Sequence, residues 1–230
     1  MPTQHLLRLA LAASLLATAC GGDATGPTTV FSVTIPQAPA ATTLGTSVSF
    51  PVQIKPTGFN GTLTLTINGA PASWNVRMIP STFTVFVGDT TTQTATVTIS
   101  IPTNGDAAPS GQTIAVTATS PTAEHVASTL VTVANEYILP IASGVGATGQ
   151  HWSTALGGVL TLRSGVTLTI RNDDAIAHQI HTSNAIPGFA SEPTPLAAGA
   201  TYSNTLGAGS DIIYCELHGD TTGKLTVTVQ

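Results

Sequence analysis

The chain has 230 residues, room for one large or two small domains. Only 7% of them are charged, with 6 Lys plus Arg against 11 Asp plus Glu and a formal charge of −5. So few cations cannot furnish the basic stripe of a nucleic-acid binder, and the same scarcity argues against charge-driven disorder and long charged helices. Val, Ile and Leu recur throughout, so a packed core is within reach.

Residues 1–8 end in Arg8, and Leu9 to Ala19 form an apolar run. That run is too short for a bilayer-spanning helix, which needs about 20 residues, and it fits the h-region of a secretory signal. It ends Leu16-Ala17-Thr18-Ala19-Cys20-Gly21-Gly22. Small residues ahead of a Cys followed by Gly-Gly resemble a bacterial lipobox. The resemblance implies a signal peptide over residues 1–19, a lipid on Cys20 and an exported, membrane-anchored protein of a bacterial cell envelope, periplasmic or outer-surface. Plain secretion and a buried N-terminal helix are the other readings of this segment. Residues 20–29 then read as the lipidated Cys and a flexible tether. The chain has two cysteines, so a lipid on Cys20 leaves Cys215 without a disulfide partner: a buried inert thiol, a ligand or a nucleophile.

The remainder reads as all-β. Apolar and polar residues alternate in Thr62–Ile67, Thr94–Ile101, Val166–Ile170 and Leu225–Val229, the period of half-buried strands. Turn-rich breaks such as Gly58–Gly61, Asn104–Asp106 and Gly207–Gly209 recur between them, as in sandwiches and barrels. A strand at Ser128–Val133 ending in Ala134-Asn135-Glu136 places a boundary near residue 136. This gives two β-sandwich domains, over 30–136 and 137–230. In the first, Gly58–Leu65, Ala70–Trp74, Ile79–Phe83 and Val87–Thr90 succeed one another in a way that resembles the immunoglobulin-like modules of bacterial extracellular proteins. Glu124 and His125 read as an exposed loop pair, Trp74 and Met78 as packing residues. The expected role is a spacer.

The second domain carries the chemistry. Ile212-Ile213-Tyr214-Cys215-Glu216-Leu217-His218 describes a strand ending in Cys with a His three residues on. Upstream stands Asn172-Asp173-Asp174-Ala175-Ile176-Ala177-His178-Gln179-Ile180-His181. One thiolate and two imidazoles on a rigid sandwich are what a trigonal copper site requires, with zinc as the chief competitor. His181 lies three residues from His178, and an odd offset along a strand sends side chains to opposite faces, so His181 is expected beside the site and not in it. His151 beside Trp152 reads as a loop or strand-edge pair with no nameable partner. A cysteine hydrolase finds no support, because no Gly-rich oxyanion turn or helix N-terminus stands behind Cys215.

Tyr-Cys-x-x-His between strands, His178-x-x-His181 upstream and Gly223-Lys224 five residues after His218 resemble the plastocyanin/amicyanin group of cupredoxins, over roughly residues 138–230. The resemblance implies a Greek-key sandwich binding one copper ion through His178, Cys215 and His218. It implies one-electron exchange with a redox partner protein, no enzymatic activity, and an electron route through His218 flanked by Leu217 and Gly219. The sequence departs from the pattern in three places. Thr221 stands where the axial Met is expected, and no Met follows Met78. Gln179 replaces Asn, and Glu216-Leu217 replaces the Thr-Pro or Ser-Pro pair, which leaves a Gln179–Glu216 hydrogen bond as a candidate link between the ligand loops. Two other readings stay open: copper scavenging or delivery without an electron-transfer partner, and a surface adhesion or structural protein with a degenerate head.

Overall fold

A computed structural model describes residues 30–146, 149–218 and 223–230. The expected leader, Cys20 with its tether, Gly219 and Thr221 lie outside the described residues. Within them the chain is strands and turns, with two short 3-10 turns at Thr154–Leu156 and Glu216–His218.

Nine strands come first: β1 (Phe31–Thr34), β2 (Thr42–Leu44), β3 (Ser47–Pro56), β4 (Gly61–Asn68), β5 (Asn75–Ile79), β6 (Thr82–Val85), β7 (Gln93–Ser100), β8 (Ala108–Thr119) and β9 (Glu124–Ile141). Six follow: β10 (Val159–Leu162), β11 (Thr167–Asn172), β12 (Ile180–His181), β13 (Thr201–Thr205), β14 (Gly209–Cys215) and β15 (Leu225–Val229). The alternation read from the sequence is the alternation of burial. In β7, Ala95, Val97 and Ile99 point inward between exposed or half-buried threonines, and in β15 Leu225, Val227 and Val229 do the same. Period-two burial of β-branched and aliphatic residues is what pins strand register against a core.

In the first half, the sheet β1-β3-β7-β5 packs on β8-β4-β6 through Phe31, Phe50, Val52, Leu63, Val97, Ile99 and Ile114. In the second, β10-β15-β14-β12 packs on β13-β11-β9 through Leu160, Leu168, Ile170, Ile213 and Val227. Two faced layers around an apolar centre make each half a sandwich.

The halves share one strand. β9 pairs antiparallel with β8 over Glu124–Val133 and parallel with β11 over Glu136–Ile141. One sheet therefore runs β13-β11-β9-β8-β4-β6 across both halves. Ala134-Asn135-Glu136, read from the sequence as a strand end, is strand interior. Its polar side chains find partners from outside the strand: Asn135 Nδ2 donates to the Gly165 carbonyl at 2.8 Å, and Thr169 Oγ1 donates to Glu136 Oε1. Thr103 Oγ1 also donates to the Thr161 carbonyl at 2.7 Å, and Arg163 pairs with Asp106. Serine and arginine hydrogen bonds hold the Asp106 carboxyl below its ordinary range, Ser73 more than Arg163. Gly45 (φ +74°) completes the joint, because a Cβ there would lie 2.4 Å from the Tyr137 ring.

His125 lies within β9, half-buried, with its ring edge-on to Phe31 at 4.7 Å between centroids, so the exposed-loop expectation is corrected. Trp74 is buried as expected, and its indole N–H donates to the Asp106 carbonyl at 2.7 Å.

Candidate metal centre

β14 builds the first donor. Its inward positions are Asp211, Ile213 and Cys215, so the thiol ends a buried row and is only 1% exposed. The 3-10 turn Glu216–His218 then carries the chain back, bringing His218 Nδ1 to 3.3 Å from Cys215 Sγ. His178 comes from the neighbouring connection, where it forms a two-way backbone bridge with Leu196. It is fully buried, with Nδ1 3.2 Å from His218 Nδ1. Nitrogens sharing one metal at about 2.0–2.1 Å stand roughly 3.3–3.6 Å apart, so the two imidazoles are spaced close to the separation a metal imposes.

Asp174 sets the direction of His178. His178 Nε2 lies 3.0 Å from Asp174 Oδ2, within reach to donate its hydrogen there, and this contact turns Nδ1 toward His218 and the Cys215 cluster. The carboxylate is fastened in turn by the backbone N–H groups of Gly144 (2.9 Å), Gly146 (2.8 Å) and Ala175 (2.9 Å). The His178 hydrogen bond first, then these backbone donors, hold its pKa at about 2 against the opposing effect of burial. Such an outer carboxylate orients a ligating imidazole and raises its basicity. Asn172, also buried, braces the loop by donating to the carbonyls of Ile176 (2.8 Å) and Leu196 (2.9 Å) and accepting from Asp174 N–H.

The ligand loops are laced by the backbone. Glu216 N–H donates to the Gln179 carbonyl at 2.9 Å. The side chains expected to pair do not: Gln179 Nε2 donates to the Glu192 carbonyl at 3.2 Å, and Glu216 Oε2 lies 3.5 Å from His181 Nδ1. His181 sits opposite Tyr214 in register, its ring 5.0 Å from the tyrosine ring, outside the donor cluster. Burial lowers the His218 pKa, the adjacent His178 adds in the same direction, and Asp174 opposes both.

A fourth imidazole joins the group. One ligand atom each from His151, His178, Cys215 and His218 all lie within 4.8 Å of one another. His151 is fully buried, its ring near-perpendicular to that of His178 at 5.0 Å and parallel to that of His218 at 5.8 Å. The loop placement expected for His151 holds, and the expectation that it has no nameable partner is corrected. Its one local sign in the sequence is the bulky His-Trp pair in a stretch of small residues; its partners are distant in sequence. Asp174 also escaped the sequence reading, as one of two adjacent aspartates in a loop without periodicity.

Three soft or borderline donors and a fourth nearby, all but His218 buried, can hold one thiophilic metal ion with little rearrangement. No family model matches the chain, and no curated protein matches it. Solved structures similar to it are cupredoxins. A purple cupredoxin from Nitrosopumilus maritimus is 28% identical, covering 40% of this chain and 98% of its own at a TM-score of 0.33. An amicyanin variant in its Cu(I) form is 21% identical over 42% of this chain and 84% of its own, TM-score 0.33. A reduced amicyanin variant is 22% identical over 41% and 82%, TM-score 0.32. The donor set itself, rather than these likenesses, carries the chemistry that follows.

Proposed function

We propose that this chain is an exported copper protein that carries single electrons, holding one copper ion through His178, Cys215 and His218. The observation that carries the reading is the convergence of His178 Nδ1, His218 Nδ1 and Cys215 Sγ, with the far nitrogen of His178 already committed to Asp174. A thiolate and two imidazoles favour copper over the oxygen-seeking divalent ions. When bound, copper supplies a one-electron change between Cu(II) and Cu(I).

The chain's own residues do the rest. The end of β14, the turn after it and the His178–Leu196 bridge fix the donors, which keeps reorganisation small. The Cys215 thiolate and Asp174 carboxylate place two negative charges at or beside the ion, matching a divalent state. His218 is the partly exposed member of the set, and Leu217 beside it is 50% exposed, so a redox partner would meet the site there. An electron received from a reduced partner is passed to an oxidised one. The first sandwich is read as an immunoglobulin-like spacer, and Cys20 as its lipid anchor to the cell envelope.

The test is a visible absorption titration of the full chain with Cu(II), with Cys215→Ser alongside. An intense charge-transfer band that the Ser variant lacks supports the copper–thiolate site; a folded protein with no such band overturns it. Rapid electron self-exchange between the oxidised and reduced protein supports the carrier role, and slow exchange with tight Cu(I) retention would replace it by storage.

A further inference from the structure

We infer that His151 is a fourth ligand, making the site a three-imidazole, one-thiolate centre rather than a trigonal one. The inference rests on the copper reading above and extends it to coordination number.

His151 enters from a segment that supplies no other donor. It is held from both sides: its carbonyl accepts Ala142 N–H at 3.0 Å, and the indole N–H of the adjacent, buried Trp152 donates to the Gly223 carbonyl. These contacts set the imidazole against the other two rings with its ligand atom within 4.8 Å of theirs and of Sγ. Space for the ring is made at residue 223. Gly223 has φ +83°, and a Cβ there would stand 2.5 Å from His151 Nδ1, so any larger residue would push the ring aside. The chain has no methionine after Met78, so no thioether can occupy a fourth position, whereas an imidazole is at hand.

The chemical consequence is specific. An imidazole nitrogen is a harder and stronger donor than a thioether. It draws the ion toward a four-coordinate geometry, weakens the thiolate bond and favours Cu(II) over Cu(I). It also makes the cage more hospitable to zinc, which prefers four N and S donors in a tetrahedron.

The experiment is pulsed EPR together with X-ray absorption on the Cu(II)-loaded full chain, counting coordinated imidazoles. Three are expected; two, beside an intact charge-transfer band, overturn the inference and leave the copper reading standing. No charge-transfer band at all overturns both. His151→Met and His151→Gln provide a second readout. In folded protein His151→Met is expected to move the charge-transfer intensity to longer wavelength and shift the Cu(I):Cu(II) partition toward Cu(I) by about tenfold or more, about 59 mV for a one-electron couple. Unchanged spectra and partition in both folded variants overturn the inference. Should the variants fail to fold, the imidazole count on the unsubstituted chain decides.

Discussion

The two sandwiches bury different things. In the first, Ser120 is the polar residue found buried among the described positions; in the second, His151, Thr169, Asn172, Asp174, His178, Thr182, Glu192 and Asp211 are buried. Burying a polar group costs free energy unless it is hydrogen-bonded or bound to a metal. The first half avoids that cost with an apolar centre of aliphatic and aromatic side chains. The second accepts it and offsets it by networks such as Asp174 with its three backbone donors, or Asp211 with Ser183, Ala185 and Ile212. Burial pushes the Asp211 carboxyl up, yet those hydrogen bonds outweigh it and leave the pKa lowered. Two regions of similar architecture thus divide the labour: one holds shape, the other holds donors.

The contrast can be broken most completely at Cys215. Cys215→Ser is expected to abolish the charge-transfer band while leaving the far-UV circular dichroism of the strands intact. Next comes the opposite experiment in the first half. Ile114, fully buried, cut to Ala should lower unfolding free energy by about 2–5 kcal/mol, measured by urea titration, with the copper spectrum unchanged. Asp174→Asn tests whether the outer carboxylate matters. It should weaken Cu(II) binding by about 10–100-fold, as loss of such partners does elsewhere, and raise the reduction potential, read by competitive chelation and redox titration.

Gly223→Ala sharpens the contrast further. A non-glycine residue at positive φ costs about 1–2 kcal/mol, so thermal unfolding should report a loss of that order, with the copper spectrum perturbed through His151. The smallest effect is expected at the joint. Arg163→Ala removes an exposed ion pair and should cost about 0.2–1 kcal/mol with no spectral change. The folded pKa of Asp106 is depressed, so this contribution is full above the ordinary carboxylate pKa and is lost as pH falls through the lowered one. Urea midpoints of Arg163→Ala and the parent should therefore converge in strong acid.

Much of this molecule is legible in local sequence because period-two patterning is a local signal. Thr62–Ile67 falls within β4, Thr94–Ile101 lies within β7 except for its last residue, and Leu225–Val229 coincides with β15. Cys215 and His218 are readable for the same reason, a strand end and a three-residue turn. What escapes is decided by partners far along the chain. Ala134-Asn135-Glu136 has the composition of a turn, but β2, β11 and the Gly165 carbonyl supply its hydrogen bonds, so the strand continues. His151 becomes part of the donor group only because Gly223, seventy-two residues later, leaves it room. The side-chain chemistry of Gln179 and Glu216 suggests a pair, yet a backbone bond between the same two residues does the lacing.

The shared strand β9 has a thermodynamic consequence. A ligand that binds only the folded state stabilises it by about 2.7 kcal/mol at a hundredfold excess over Kd, and a strand built into both sandwiches distributes that gain to each. Metal loading at one end should then suppress opening at the other. Amide hydrogen exchange at Ile114 should slow when copper occupies the site far from it, and both halves should melt in one transition. The first sandwich would thus be held shut by an ion bound in the second.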